Sequence, residues 1–132
     1  MTSNSNPCPC GRPLPYEACC GRLHRALADS GQGAPDAEAL MRSRYSAYVL
    51  ELQDYLLATW HASTRPAALE ANEHGLKWLG LEVKQHKVQD ADHATVEFVA
   101  RSKLGGRAHR MHEISRFVRE NGFWFYLDAL PD

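Results

Sequence analysis

All four cysteines of the chain fall between residues 8 and 20, as Cys8-Pro9-Cys10 and then, after eight intervening residues that begin with Gly11, Cys19-Cys20-Gly21. No other feature constrains folding as tightly. The intervening Arg12-Pro13-Leu14-Pro15-Tyr16 is too short to form a core of its own, so a cross-link must supply most of the folding energy of this stretch. Disulfides are one chemistry for it. Adjacent Cys19 and Cys20 are poorly placed to bridge each other. The opening Met1-Thr2-Ser3-Asn4-Ser5-Asn6 lacks the charged and apolar regions of a signal peptide, which leads to the expectation of a cytoplasmic chain with reduced thiols. The spacing therefore favours a tetrathiolate site for zinc, with Cys8, Cys10, Cys19 and Cys20 as ligands. Pro7 and Pro9 keep the first cluster extended, and Gly11 and Gly21 suit tight turns beside the sulfurs. Arg12, Arg22 and Arg25 offset the negative charge of such a site. His24 is a further candidate ligand but reads as a solvated histidine. Four thiolates leave no open coordination position, which points to a structural site or docking surface rather than a hydrolytic centre.

The remaining sequence suits one globular domain with a small appendage: 132 residues, 44% hydrophobic and 23% charged. No apolar run approaches membrane-spanning length. The net charge of −1 gives no global field towards nucleic acid or anionic lipid.

In chain order, residues 1–6 are polar and expected to be mobile. Arg22 to Leu27 suits a helical turn, and residues 29–35 read as a linker rich in turn formers. Asp36 is placed to cap a helix whose stripe runs Ala37, Leu40, Met41, Tyr45, Tyr48, Val49 and Leu52, with Arg42, Ser46 and Glu51 off it. Asp54 suits the start of a short helix through Trp60. Pro66 and Gly75 bracket a third short helix, Ala67 to Glu73. The period then changes to two. Leu76 to Val88, with Leu79, Leu81 and Val83 on one face, His93 to Lys103, Ala108 to Arg119 and Phe123 to Ala129 read as strands. Turns fall at 89–92, at Gly105-Gly106 and at Asn121-Gly122, the last a strong hairpin signal. Helices followed by an antiparallel meander define an α+β fold with helices packed on one sheet face.

Counting outward from Asn121-Gly122 pairs Arg119 with Trp124, Phe117 with Tyr126 and Ser115 with Asp128. One sheet face then carries Glu113, Ser115, Phe117, Tyr126 and Asp128, joined by Val96, Phe98 and Ala100. The other carries Ile114, Val118, Phe123, Phe125 and Leu127, suited to cover by a second subunit or by the cysteine segment. On the first face, Tyr45, Tyr48 and Trp60 with Glu113, Ser115 and Tyr126 are candidates for a ligand pocket. Glu113 and Asp128, assisted by His61, are the candidate acid-base groups. The plainer alternative makes these aromatics core, Glu113 a partner of Arg44 or of a buried hydroxyl, and Asp128 solvated. His112, next to Glu113 in a strand, points to the opposite face. The basic cluster Arg101, Lys103, Arg107 and Arg110 has no interleaved aromatics, which argues against nucleic acid as a partner.

Cys8-Pro9-Cys10-Gly11 through Tyr16-Glu17-Ala18-Cys19-Cys20-Gly21 resembles the SEC-C zinc motif, named for its place on the SecA translocation ATPase. Leu40-Met41-Arg42-Ser43-Arg44-Tyr45-Ser46-Ala47-Tyr48, Tyr55-Leu56-Leu57-Ala58-Thr59-Trp60-His61 and His112-Glu113-x-Ser115-x-Phe117-x-Arg119 extend the likeness, and nearly the whole chain resembles the bacterial YchJ family. The resemblance implies a SEC-C segment (residues 1–28), a linker (29–35) and a nuclear transport factor 2-like domain (36–132), abbreviated NTF2-like below. In that fold the concave sheet face and the helices enclose a pocket. Where the motif usually has a small Gly-Ser-Gly turn, this chain has Gly11-Arg12-Pro13. On SecA the motif contacts SecB and ribosomes, so the resemblance implies an adaptor role with a protein partner. A small-molecule-binding protein or enzyme using the pocket is the alternative, and a homodimer through Phe125 and Leu127 is a further expectation.

Overall fold

The computed structural model describes residues 7–130. Residues 1–6, expected to be mobile, and residues 131–132 lie outside the described residues. A single 3-10 turn (Tyr16–Ala18) leads into α1 (Cys20–Ser30), followed by α2 (Ala37–Leu50) and α3 (Gln53–Ala58). Four strands follow: β1 (Lys77–Asp90), β2 (His93–Leu104), β3 (Arg107–Glu120) and β4 (Phe123–Ala129). They form one antiparallel sheet in sequence order, and the architecture is α+β, as the change of period predicts. Among the described residues no helix is long and apolar enough to cross a membrane.

The long helix α2 begins where a cap is available. Asp36 is extended, and its Oδ1 accepts from the backbone N–H of Ala39 at 2.7 Å, an interaction worth about 1 kcal/mol. Leu40, Met41 and Tyr45 then bury against Val96, Phe98, Phe117 and Trp124 of the sheet. Ala47, Tyr55 and Leu56 form a smaller cluster that fastens α3 to α2.

Asn121 and Gly122 have φ of 53° and 77°, the left-handed pair of a type I′ turn, whose twist matches the flanking strands. Arg119 faces Trp124 and Phe117 faces Tyr126 as counted, but a bulge then intervenes. Beyond it Arg116 pairs with Asp128 and Ser115 with Ala129, so the expected Ser115–Asp128 pair does not form. An extra residue on one strand moves every later side chain to the other face. The outer edge of β4 is engaged at the same point: Tyr126 N–H donates to Thr59 O, and His61 N–H donates to Tyr126 O, both at 2.8 Å. Residues 59–61 thereby cover an edge strand.

A second bulge, between Trp78 and Gly80, changes which residues of β1 face the helices. Leu79, expected inside, is 55% exposed, while Trp78, Leu81 and Val83 pack on the core. The helix expected from Ala67 to Glu73 is absent, and those residues are irregular. A single isolated turn or two is marginal, and this one is outcompeted: Asn72 N–H donates to Glu51 Oε1 at 2.8 Å, and Asn72 Nδ2 donates to Tyr48 O at 2.9 Å. Helix α1 is longer than expected, with Asp29 and Ser30 in its last turn. Its Leu23 reaches the main core and its Leu27 the smaller cluster, and that tertiary burial sustains the helix.

The outer sheet face is half-buried along β4, at Phe123, Phe125 and Leu127. Gly33 lies so close to Phe123 that a Cβ there would meet the ring at 2.8 Å, and His61 stands edge-on to Phe125. Residues 33 and 61, not the cysteine segment, therefore lie against this face.

Candidate functional site

The four cysteines converge. Pro7 bridges Pro15, Cys8 N–H donates to Leu14 O at 2.9 Å, and Gly11 N–H returns to Cys8 O at 3.3 Å. Gly11 takes φ of 91°, and a side chain there would meet Leu81 O at 3.1 Å, so this turn needs glycine. The second pair is presented by the 3-10 turn and the first residue of α1. All four Sγ atoms lie within 4.8 Å of one another, all four residues are buried, and none forms a disulfide. Tetrahedral thiolates on zinc stand about 3.8 Å apart, and Cys10 Sγ lies 3.6 Å from Cys19 Sγ. The donor set and its geometry fit a metal site with four protein ligands. Hydrogen bonds from the other thiols, that of Cys20 above all, pull the Cys10 thiol down to about 4. Burial and the neighbouring sulfur charge push Cys19 up to about 11, and Cys20 is raised chiefly by its hydrogen bond to Cys10.

This segment docks on the polar side of α2. Ser46, expected off the buried stripe, is fully buried with its Oγ 3.6 Å from Cys8 Sγ. Arg42 Nη1 donates to Cys10 O at 3.0 Å while its Nε bonds Glu38 Oε2 at 3.0 Å, and Arg12 reaches the same carboxylate. His24 is also buried rather than solvated, and it is not a ligand. Its Nε2 donates to Ser43 O at 2.8 Å, since a carbonyl only accepts, which leaves Nδ1 to accept from the Tyr16 hydroxyl at 2.6 Å. Burial holds the His24 pKa below its ordinary value. Ser43 continues the chain: its Oγ donates to Leu40 O and accepts from the Tyr55 hydroxyl at 2.7 Å.

A separate cavity of about 370 Å³ lies between α2 and the concave face of the sheet. Tyr45, Tyr48, Glu113, Ser115 and Tyr126 line it, together with Arg44, Trp78 and Phe98. Ser115 Oγ donates to Glu113 Oε2 at 2.6 Å, so Glu113 accepts from a buried hydroxyl. Trp60 stands behind the wall, edge-on to Tyr126 at 5.1 Å. Burial, with the Glu113 charge nearby, pushes the Tyr126 hydroxyl up to about 12, leaving it protonated at neutral pH.

The structure separates the other acid-base candidates from this cavity. Asp128 forms a two-pronged pair with Arg116, at 2.6 and 2.5 Å. That partner holds its carboxyl below the usual range, not above it. The bulge between Tyr126 and Asp128 of β4 is the physical reason. His61 bonds Glu120 Oε2 at 2.8 Å and Ser63 Oγ at 2.7 Å beyond the edge of β4, so it cannot assist Glu113. His112 bonds Glu97 at 2.6 Å on the outer face, as the alternation predicts. Arg101, Lys103, Arg107 and Arg110 are exposed at the far end of the sheet.

Arg44 was legible only as a possible partner of Glu113. It occupies an apolar-stripe position of α2, three residues after Met41 and one before Tyr45, and that misplacement was the available signal. Its guanidinium is buried, stacked 5.0 Å from the Trp60 ring centre and 4.6 Å from that of Tyr126.

Fold and site together define an NTF2-like α+β domain preceded by a four-cysteine segment docked on its long helix. Residues 36–129 match the family model described as YchJ, middle NTF2-like domain. A UPF0225 protein of Methylibium petroleiphilum is 67% identical over 127 residues, covering 96% of this chain and 89% of that protein. A UPF0225 protein of Bordetella pertussis is 58% identical over 122 residues, covering 92% and 90%. Two solved structures have the same fold, each with a TM-score of 0.80 and covering 96% of this chain. One is a SEC-C motif containing protein from Psychrobacter arcticus, 32% identical, with 84% of that chain covered. The other is a SEC-C motif containing protein from Rhodopseudomonas palustris, 31% identical, with 99% covered. The chain belongs to the YchJ family.

Proposed function

We propose that this is a cytoplasmic zinc protein whose SEC-C segment acts as an adaptor surface for a protein partner, with the NTF2-like domain as its platform. The observation that carries the reading is the convergence of four buried sulfurs within 4.8 Å. An all-thiolate set suits zinc, and four protein ligands leave no position for substrate. The role of the ion is then to fold and present a surface, in which Tyr16 and Arg25 border a broad groove between α1 and α3. Native mass spectrometry of protein purified without added metal tests the first half. One zinc per chain is expected, and four titratable thiols with no metal would overturn it. The second half requires chelation to release whatever partner co-purifies with the chain. A partner retained equally by the metal-free protein would remove the adaptor role.

A second reading gives the protein a small-molecule ligand in the cavity beneath α2. It is favoured by the cavity's size, which lies at the lower end of ligand sites, and by the charged Arg44 and Glu113 set among aromatic and aliphatic side chains.

A further inference from the structure

We propose that the cavity beneath α2 is a site for a small aromatic carboxylate, with Arg44 as its counter-ion and Glu113 as acceptor for a donor group elsewhere on the ligand. This rests on the second reading above and is independent of the metal site. Arg44 is 4% exposed and lines the cavity. Its Nη1 donates to Leu56 O and to Thr59 Oγ1, both at 2.8 Å. The Tyr48 hydroxyl also bears on the guanidinium, whose pKa burial lowers. Among the described residues, however, no carboxylate lies within ion-pairing distance of it. A buried guanidinium without an anion is costly, and ring faces offset that cost only in part. An anion entering the cavity supplies the missing charge, and a planar carboxylate matches the planar fork of donors.

Three further observations narrow the class. The indole N–H of Trp78, in the cavity wall, is buried and has no hydrogen-bond partner. A ligand oxygen would satisfy it, and unsatisfied buried donors are uncommon. Tyr45, Tyr48, Phe98 and Tyr126 present ring surface, which a bare inorganic anion would leave unfilled. Glu113 shares the cavity yet pairs with Ser115 rather than Arg44. Its carboxylate therefore repels a dianion and accepts from an O–H or N–H placed away from the ligand carboxylate.

The test uses the full chain as purified and three probes of similar shape: benzoate, para-hydroxybenzoate and the neutral benzamide. Binding is read from the Trp78 indole N–H resonance in an NMR titration. Benzoate should bind about tenfold or more tightly than benzamide, the difference expected of a charge-assisted pair, and para-hydroxybenzoate should bind tighter still. Glu113→Gln, whose amide oxygen is a weaker acceptor than a carboxylate, should reduce the preference for the hydroxylated probe, and Arg44→Gln should abolish the preference for benzoate over benzamide. If Arg44→Gln fails to fold, the three-probe series on the unaltered chain still decides. Benzamide binding as tightly as benzoate would overturn the carboxylate class while leaving a cavity for neutral ligands. No saturable shift with any probe at millimolar concentration would overturn this inference, while the small-molecule reading would stand for ligands of another shape.

Discussion

The cysteine segment and the sheet domain meet on one helix, and they are held by different physics. The domain buries Leu40, Phe98, Phe117, Val96 and Trp124 against one another. The segment, with Tyr16 and Leu81 the apolar residues packed on its sulfurs, closes instead around its four cysteines. Helix α2 serves both. Its apolar stripe faces the sheet, while Arg42, Ser43 and Ser46 face the segment and α1. A polar helix face is usually a solvated one. Here it is a docking face, because backbone carbonyls and sulfurs beside a metal site want donors rather than methyl groups.

The contrast predicts two units that fail separately. The largest effect should come from Cys10→Ser. Structural zinc in small segments is worth about 10 kcal/mol or more of apparent binding energy, so the variant should lose the metal. Amide protection over residues 8–19 should vanish while the β2–β3 amides stay protected in hydrogen exchange. Simultaneous loss of both would mean that segment and domain are one cooperative unit.

The converse substitution is Phe117→Ala, at 1% exposure in the centre of the domain core. It should cost about 3–5 kcal/mol in a denaturant titration. The molecules that remain folded should still carry one metal each. A fall in metal content without a fall in domain stability would reverse the assignment of forces made above.

The smallest effect probes the junction. His24 is buried neutral between Tyr16 and Ser43, and that burial holds its pKa below its ordinary value. As pH falls through about 6.5 the unfolded chain takes up this proton first. The stability that neutral His24 contributes is therefore full above that pH and is lost progressively below it. His24→Gln should flatten the fall in melting temperature between pH 7 and pH 5 relative to the unaltered chain, compared with both proteins metal-loaded. Identical slopes would show that His24 is not what makes the junction sensitive to acid.

The cysteine spacing, the Asp36 cap, the Gly105-Gly106 and Asn121-Gly122 hairpins and the span of β4 were all legible in the sequence. Each is a local matter: ligand spacing, a side chain reaching three residues on, a turn needing positive φ, an alternation of period two. The tertiary structure alone decided the rest. The bulges after Trp78 and Tyr126 turned Leu79 and Asp128 away from the faces that alternation assigned them, since a single extra residue inverts everything beyond it. Residues 67–73 stay irregular because Asn72 is bonded to Glu51 and Tyr48, contacts from twenty or more residues away. Ser46, His24 and Arg44 are polar by composition and buried by position. Polarity is a property of the residue, but exposure depends on which other parts of the chain come to cover it.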